Sequence, residues 1–173
     1  CKQHAKNLFG LPQDKRLILF GSYGSNASLN KGFDLLLKAL DTFNNPQDNY
    51  ELVVFGDASK AQFSKLTIPV HFIGHIRNDS RLVALYNAAD VMVIPSRQEA
   101  FGQVASEAQA CGTPVVAFST SGLKDIIEHG ETGYLAQPFN VDDLAAGIKW
   151  VLTSKDRVDL SNKAKERALS LIH

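Results

Sequence analysis

The stretch that decides the fold is Val91-Met92-Val93-Ile94-Pro95-Ser96-Arg97-Gln98-Glu99-Ala100-Phe101-Gly102-Gln103-Val104-Ala105-Ser106-Glu107. Four consecutive apolar residues read as a strand buried on both faces. The turn residues that follow give way at Gly102 to a helix pattern that runs through Cys111 and stops before Gly112, Thr113 and Pro114. Glu99 falls in the loop and Glu107 about one turn into the helix. Between them the first backbone N–H groups of the helix, near Gly102, Gln103 and Val104, have no partner within the helix and point back toward the loop. Such a crevice can hold a sugar, a phosphate group and a ribose together, with Glu107 accepting two hydrogen bonds from the vicinal diol.

Working outward, five more short apolar runs punctuate the chain: Leu17–Phe20, Leu52–Phe55, Val70–Ile73, Val115–Phe118 and Gly133–Leu135. Helical spacing follows several of them. Phe33, Leu36, Leu37, Leu40 and Phe43 form one stripe, Leu82, Leu85 and Tyr86 a second, and Leu144, Ile148, Val151 and Leu152 a third. Asn140 is placed to cap the third helix, with Asp142 and Asp143 in its first turn. Ser154 is expected to cap a final helix carrying Leu160, Ala164, Ala168 and Leu171. Alternation of this kind predicts a Rossmann-like three-layer α/β/α fold with a six-stranded parallel sheet, whose ligands lie beyond the carboxyl ends of the strands.

Composition narrows the function. The chain has 173 residues, with Lys plus Arg and Asp plus Glu both 18, so its formal charge is zero. That balance gives no sign of a nucleic-acid binder, which needs an excess of Lys and Arg. No apolar run approaches the roughly 20 residues of a membrane helix. Two cysteines, Cys1 and Cys111, make no disulfide framework, and a reduced, cytoplasmic setting is expected. The opening Cys-Lys-Gln-His, without an initiator Met, is read as the start of one domain, residues 1–173, cut from a longer polypeptide.

The loop after the first strand, Gly21-Ser22-Tyr23-Gly24-Ser25-Asn26-Ala27-Ser28-Leu29-Asn30-Lys31-Gly32, is rich in small residues that let a phosphate approach the backbone. It carries neither a P-loop nor a Gly-x-Gly-x-x-Gly fingerprint. Lys31 falls at a helix N-terminus, where a cation is disfavoured by about 0.3–1 kcal/mol. A bound anion between lysine and helix end removes that conflict. His71 and His75 lie at a strand end, with no cysteine or carboxylate cluster beside them, and read as structural. No motif for zinc or serine-hydrolase chemistry occurs, and no metal is expected.

With these residues in view, the segment from Glu99 to Val115 closely resembles the E-x7-E region of family 4 retaining glycosyltransferases. The likeness extends to Lys31-Gly32-Phe33-Asp34, Phe72-Ile73-Gly74, Tyr86-Asn87-Ala88-Ala89-Asp90 and Gly130-Glu131-Thr132-Gly133-Tyr134, in that order, and is strongest to bacterial enzymes of exopolysaccharide or lipopolysaccharide synthesis. It implies the donor-binding carboxyl-terminal half of a GT-B enzyme, with an amino-terminal acceptor-binding domain absent from this chain and any membrane contact left to that domain. The partners implied are a nucleoside diphosphate sugar and a saccharide or lipid-linked acceptor. Glu107 would then hold the ribose and Glu99 the hydroxyls of the donor sugar. Amides from Phe101 through Gly102 and Gln103 to Val104 would meet sugar and phosphate. Lys31, beside Gly21 and Ser22, would hold the diphosphate, and His75 and Ile76 would meet the base. Glu99 and Lys31 are the expected catalytic residues, and no cofactor is implied. Many relatives carry an arginine just after the loop-one glycine, where this chain has Ser22 and Tyr23. Arg97 or the absent domain is a candidate to supply that charge. The competing readings are a nucleotide-binding module without activity and, less favoured by the glutamate spacing, a sugar-nucleotide epimerase.

Overall fold

All six apolar runs are strands. The computed structural model describes residues 1–22, 32–43, 45–97 and 102–172. In chain order the elements are α1 (Lys2–Leu8), β1 (Arg16–Ser22), α2 (Phe33–Leu40), β2 (Tyr50–Gly56), β3 (Val70–Gly74), α3 (Asp79–Ala88), β4 (Val91–Ile94), α4 (Gln103–Ala110), β5 (Val115–Phe118), α5 (Ser121–Lys124), β6 (Gly133–Ala136), α6 (Val141–Thr153) and α7 (Arg157–Ser170). The strands form one parallel sheet in the order β3-β2-β1-β4-β5-β6. The order reverses between β1 and β4, so the ligand crevice of a doubly wound sheet belongs there.

Side-chain alternation splits the core into two layers. Ile18, Phe20, Leu52, Val54 and Val116 face α2 and α6. Leu17, Leu19, Val53, Phe55, Met92 and Ala117 face α1, α3, α4 and the segment after β5. Strands buried on both faces need no polar alternation, which is why they read as continuous apolar runs. β1 pairs with β2 along all seven residues. It pairs with β4 only at Ile18↔Val91 and Leu19↔Met92. The carboxyl ends of the two central strands therefore part, and the crevice opens between them.

Caps largely follow the sequence. The Asn140 side chain accepts from the Asp143 N–H at 3.0 Å and starts α6. Asn78 does the same for α3 through the Ser80 N–H at 2.8 Å. Ser154 does not cap α7. It closes α6, and the cap of α7 is Asp156. The cause lies in Arg157, the first residue of α7, whose guanidinium binds Asp90 Oδ1 at 2.5 Å and fixes where the helix begins. α1 has no counterpart in the apolar pattern, since Ala5 and Lys6 are its buried residues. It is held from outside, by Lys2 donating to the Ala89 carbonyl at 2.6 Å and Lys6 to the Lys15 carbonyl at 2.8 Å.

Asp90 organises the amino end of the sheet. Its side chain is 3% exposed. Oδ2 accepts from the Leu17 N–H at 2.8 Å, and Oδ1 meets Arg157 and, at 3.4 Å, Lys2. Removing this buried carboxylate leaves the buried Leu17 N–H unsatisfied and two half-exposed cations unpaired, at a cost on the order of 3 kcal/mol. Asp90→Ala should therefore lower the melting temperature by roughly 6–12 °C, read by calorimetry or circular dichroism. An unchanged melt would show that the carboxylate is dispensable.

Candidate functional site

Two glycine-opened helices, α2 and α4, stand beside the point where the sheet order reverses. At β1, Gly32 opens α2 with φ 74°, in the left-handed region that favours glycine. A Cβ there would lie 1.6 Å from the Pro95 carbonyl oxygen. The start of α2 thus lies directly against the residue that follows β4. At β4, Gly102 opens α4 with φ 58°, and a Cβ there would lie 2.3 Å from Ile126 Cδ1. Both helices begin where only glycine fits, and both aim their first N–H groups at the crevice.

Arg97 and Asp34 join the segment after β4 to the start of α2. The Arg97 guanidinium donates to both Asp34 oxygens, at 2.9 and 2.7 Å. This bidentate hydrogen bonding holds the Asp34 carboxyl below its ordinary value and raises the guanidinium further. Arg97, a candidate to supply charge to a diphosphate, makes this pair with the first turn of α2.

Glu107 points from α4 toward α3. Tyr86, 1% exposed, donates its hydroxyl to Glu107 Oε2 at 3.0 Å. Gln103, one turn earlier, donates to Oε1 at 3.2 Å. The Tyr86 ring meets Phe55 edge-on, with centroids 6.5 Å apart and planes at 89°. Its backbone carbonyl accepts from Thr113 Oγ1 at 2.6 Å.

Gly21 and Ser22 lie in β1 itself. A Cβ on Gly21 would sit 2.8 Å from the Phe55 ring, so the missing side chain makes room for a core aromatic. Ser22 laces β1 to the segment after β2: its hydroxyl donates to the Asp57 carbonyl at 2.7 Å, and its own carbonyl accepts from the Asp57 N–H at 2.6 Å. His75 Nε2 bonds the Asp57 carboxylate, which brings the ends of β1, β2 and β3 together. Ile76 packs into the core beneath. His71 lies elsewhere, 2.7 Å from Glu51 across the β2–β3 ladder. Among the described residues, no group of three His, Cys, Asp or Glu is placed to hold a metal.

Of the expected site residues, Gly21, Ser22, His75, Ile76, Gly102, Gln103, Val104 and Glu107 lie at or just beyond the carboxyl edge of the sheet. Lys31, Glu99 and Phe101 lie outside the described residues. Asp57, Asp34 and the hydroxyl of Tyr86 were not singled out in the sequence. A polar residue directly after a buried strand and a phenol tip on an apolar stripe were the available signals.

A parallel sheet of this order, with two glycine-opened helices beside its point of reversal, defines the doubly wound α/β class. Residues 3–168 match the family described as glycosyl transferases group 1. The chain belongs to that family, and its fold is that of the carboxyl-terminal GT-B domain. It is 35% identical over 159 residues to an uncharacterized glycosyltransferase of Methanocaldococcus jannaschii, covering 88% of this chain and 40% of that protein. Sucrose-phosphate synthase from Thermosynechococcus elongatus superposes with a TM-score of 0.81 at 31% identity, covering 98% of this chain and 44% of the other. The Anabaena HepE protein in complex with UDP-glucose gives 0.80 at 26%, covering 98% and 48%. The chain thus spans less than half of each of these proteins.

The Asp34–Arg97 pair has a pH signature. A carboxyl held below its ordinary value of 3.8 stabilises the fold above that pH and ceases to do so as the pH falls through the folded-state value. Both side chains are about one-third exposed, so the pair contributes less than about 1 kcal/mol. Urea unfolding should show Asp34→Asn less stable than the parent at pH 7, with the difference closing below about pH 4. A gap that widens in acid would contradict the assignment.

Proposed function

We propose that this chain is the donor-binding half of a glycosyltransferase that moves a hexosyl group from a nucleoside diphosphate sugar to a hydroxyl acceptor, with retention at the anomeric carbon. The observation that carries the reading is the Glu107 carboxylate, held by the Tyr86 hydroxyl beside a glycine-opened helix at the reversal point of the sheet. Family membership and a UDP-glucose complex among the structural neighbours support it. The acceptor site belongs to a second, amino-terminal domain, and the intact enzyme works across the cleft between the two. Among the described residues no helix is long and apolar enough to cross a membrane. Attachment to the inner face of the cell membrane is assigned, in this reading, to the amino-terminal domain.

The chemistry assigns a role to each group. Glu107 accepts from the ribose hydroxyls, and the segment after β3, at His75 and Ile76, receives the base. As the bond to the leaving group breaks, negative charge grows on the diphosphate while the sugar becomes cation-like. Lys31 and the N–H groups at the start of α4 meet that charge, and the N–H groups, set by the helix backbone, need no reorganisation as the charge develops. Glu99 holds the hydroxyls of the sugar. No step requires a metal.

Binding can be tested on this chain alone. At a hundredfold excess over its dissociation constant a nucleotide adds about 2.7 kcal/mol, a melting shift of roughly 5–10 °C. UDP, GDP, ADP and their glucose or mannose conjugates form the panel, and at least one should give that shift. Silence from all of them would defeat the reading. Glu107→Ala should weaken the binding nucleotide by about tenfold or more, the worth of hydrogen bonds to a charged acceptor. In the enzyme joined to its acceptor-binding half, Lys31→Ala should cut turnover about a hundredfold or more. Turnover at the parental rate would remove Lys31 from the mechanism.

A further inference from the structure

One line of contacts links the core to the proposed ribose site. Gly21 leaves space that the Phe55 ring fills. Phe55 is fully buried and meets the Tyr86 ring edge-on. The Tyr86 backbone is pinned by Thr113 Oγ1, and the Tyr86 hydroxyl reaches Glu107 Oε2. An ionised carboxylate has no proton to give, so the phenol must be the donor in that bond. A buried aromatic with two fixed torsions thus reaches across from α3 to set a side chain on α4.

Each carboxylate oxygen can accept from two donors. With Oε2 engaged by Tyr86 on the buried side, Oε1 is turned outward, where Gln103 meets it. The Gln103 contact is exposed, longer, and made by a flexible side chain that a ligand can displace. The Tyr86 contact is the fixed one.

We propose that Tyr86 is a positioning residue that confers ribose selectivity: its hydroxyl locks the Glu107 rotamer so that the carboxylate presents free lone pairs to a vicinal diol, favouring ribonucleotides over nucleotides that lack the diol. The inference rests on the ribose role of Glu107 proposed above. Without the hydroxyl, Glu107 gains rotamers, and ordering it becomes part of the cost of binding. That cost falls on the contact with the diol and spares the base and the phosphates.

The test is Tyr86→Phe, which keeps the ring, its volume and its contact with Phe55. Affinities for UDP, GDP and ADP are measured by calorimetry beside their 2′,3′-dideoxy counterparts, in the parent, Tyr86→Phe, Glu107→Ala and the double variant. For each nucleotide the parent binds, Tyr86→Phe should weaken the ribo form about tenfold, one charged hydrogen bond's worth. The dideoxy form should change by less than about twofold, the scatter of independent effects. In the double variant the two losses should not add, because both act through one carboxylate. Equal weakening of ribo and dideoxy forms would make Tyr86 a structural residue only and overturn the inference. If Glu107→Ala itself fails to separate ribo from dideoxy forms, the ribose role falls and the inference falls with it. If Glu107→Ala separates them and Tyr86→Phe does not, only the role of Tyr86 is refuted. Absence of binding by every nucleotide refutes both.

Discussion

The ladder between β1 and β4 ends at Leu19↔Met92, although β1 continues to Ser22 and β4 to Ile94. The ladder ends where the strand order reverses, the point at which a doubly wound sheet opens its crevice. Here the join is confined to the amino ends, and the Asp90 carboxylate reinforces it there. Asp90 stands one residue before β4, takes the Leu17 N–H from β1 and holds α7 through Arg157. The stable end of the sheet and the open end are therefore opposite ends of the same two strands. Asp90 can be fully committed to structure because the ligand is expected some four residues further along.

At the open end, packing and chemistry share residues. Gly21 lies in line with Leu17 and Leu19 on one face of β1, and its lack of a side chain admits the Phe55 ring. Phe55 positions Tyr86 and Tyr86 positions Glu107. A small residue after a strand is commonly taken as a place where phosphate nears the backbone. At Gly21 the geometry gives a second reason, which lies in the core. Between the start of α2 and the segment after β4, Gly32 and Pro95 are in backbone contact and Asp34 and Arg97 in ionic contact, so that junction is held by close packing and by charge together.

The fold was readable because its strongest signals are local. Six short, mostly apolar runs of three or four residues marked the strands, and glycine and proline marked where helices stop. What escaped has a common cause. α1 is held by lysine contacts to distant carbonyls, and the start of α7 by an ion pair 67 residues away in sequence. No window of sequence contains such information. Ser154 is a good cap by composition, but Arg157 and Asp90 decide the matter three residues later. The positions of candidate residues on their elements were readable in part. Gly102 and Glu107 announced themselves by spacing on one helix. Tyr86, on another helix, reads as one more apolar position in a stripe with Leu82 and Leu85 until its hydroxyl is seen to reach α4. The contribution of Lys31, Glu99 and Phe101 stays with the sequence pattern.

The pairing of Arg97 with Asp34 changes how charge is balanced around a diphosphate. An arginine free in the crevice would add a full positive charge beside the leaving group. Shared bidentately with a carboxylate, it adds a dipole and rigidity. In the proposed donor site the aligned peptide units of α2 and α4 add positive field at the crevice, each worth roughly half a charge at its N-terminus. That field is set by backbone geometry at Gly32 and Gly102. Its direction is therefore fixed before any ligand arrives. A site of this kind trades ground-state affinity for preorganisation, which suits a reaction whose charge develops during departure of the leaving group.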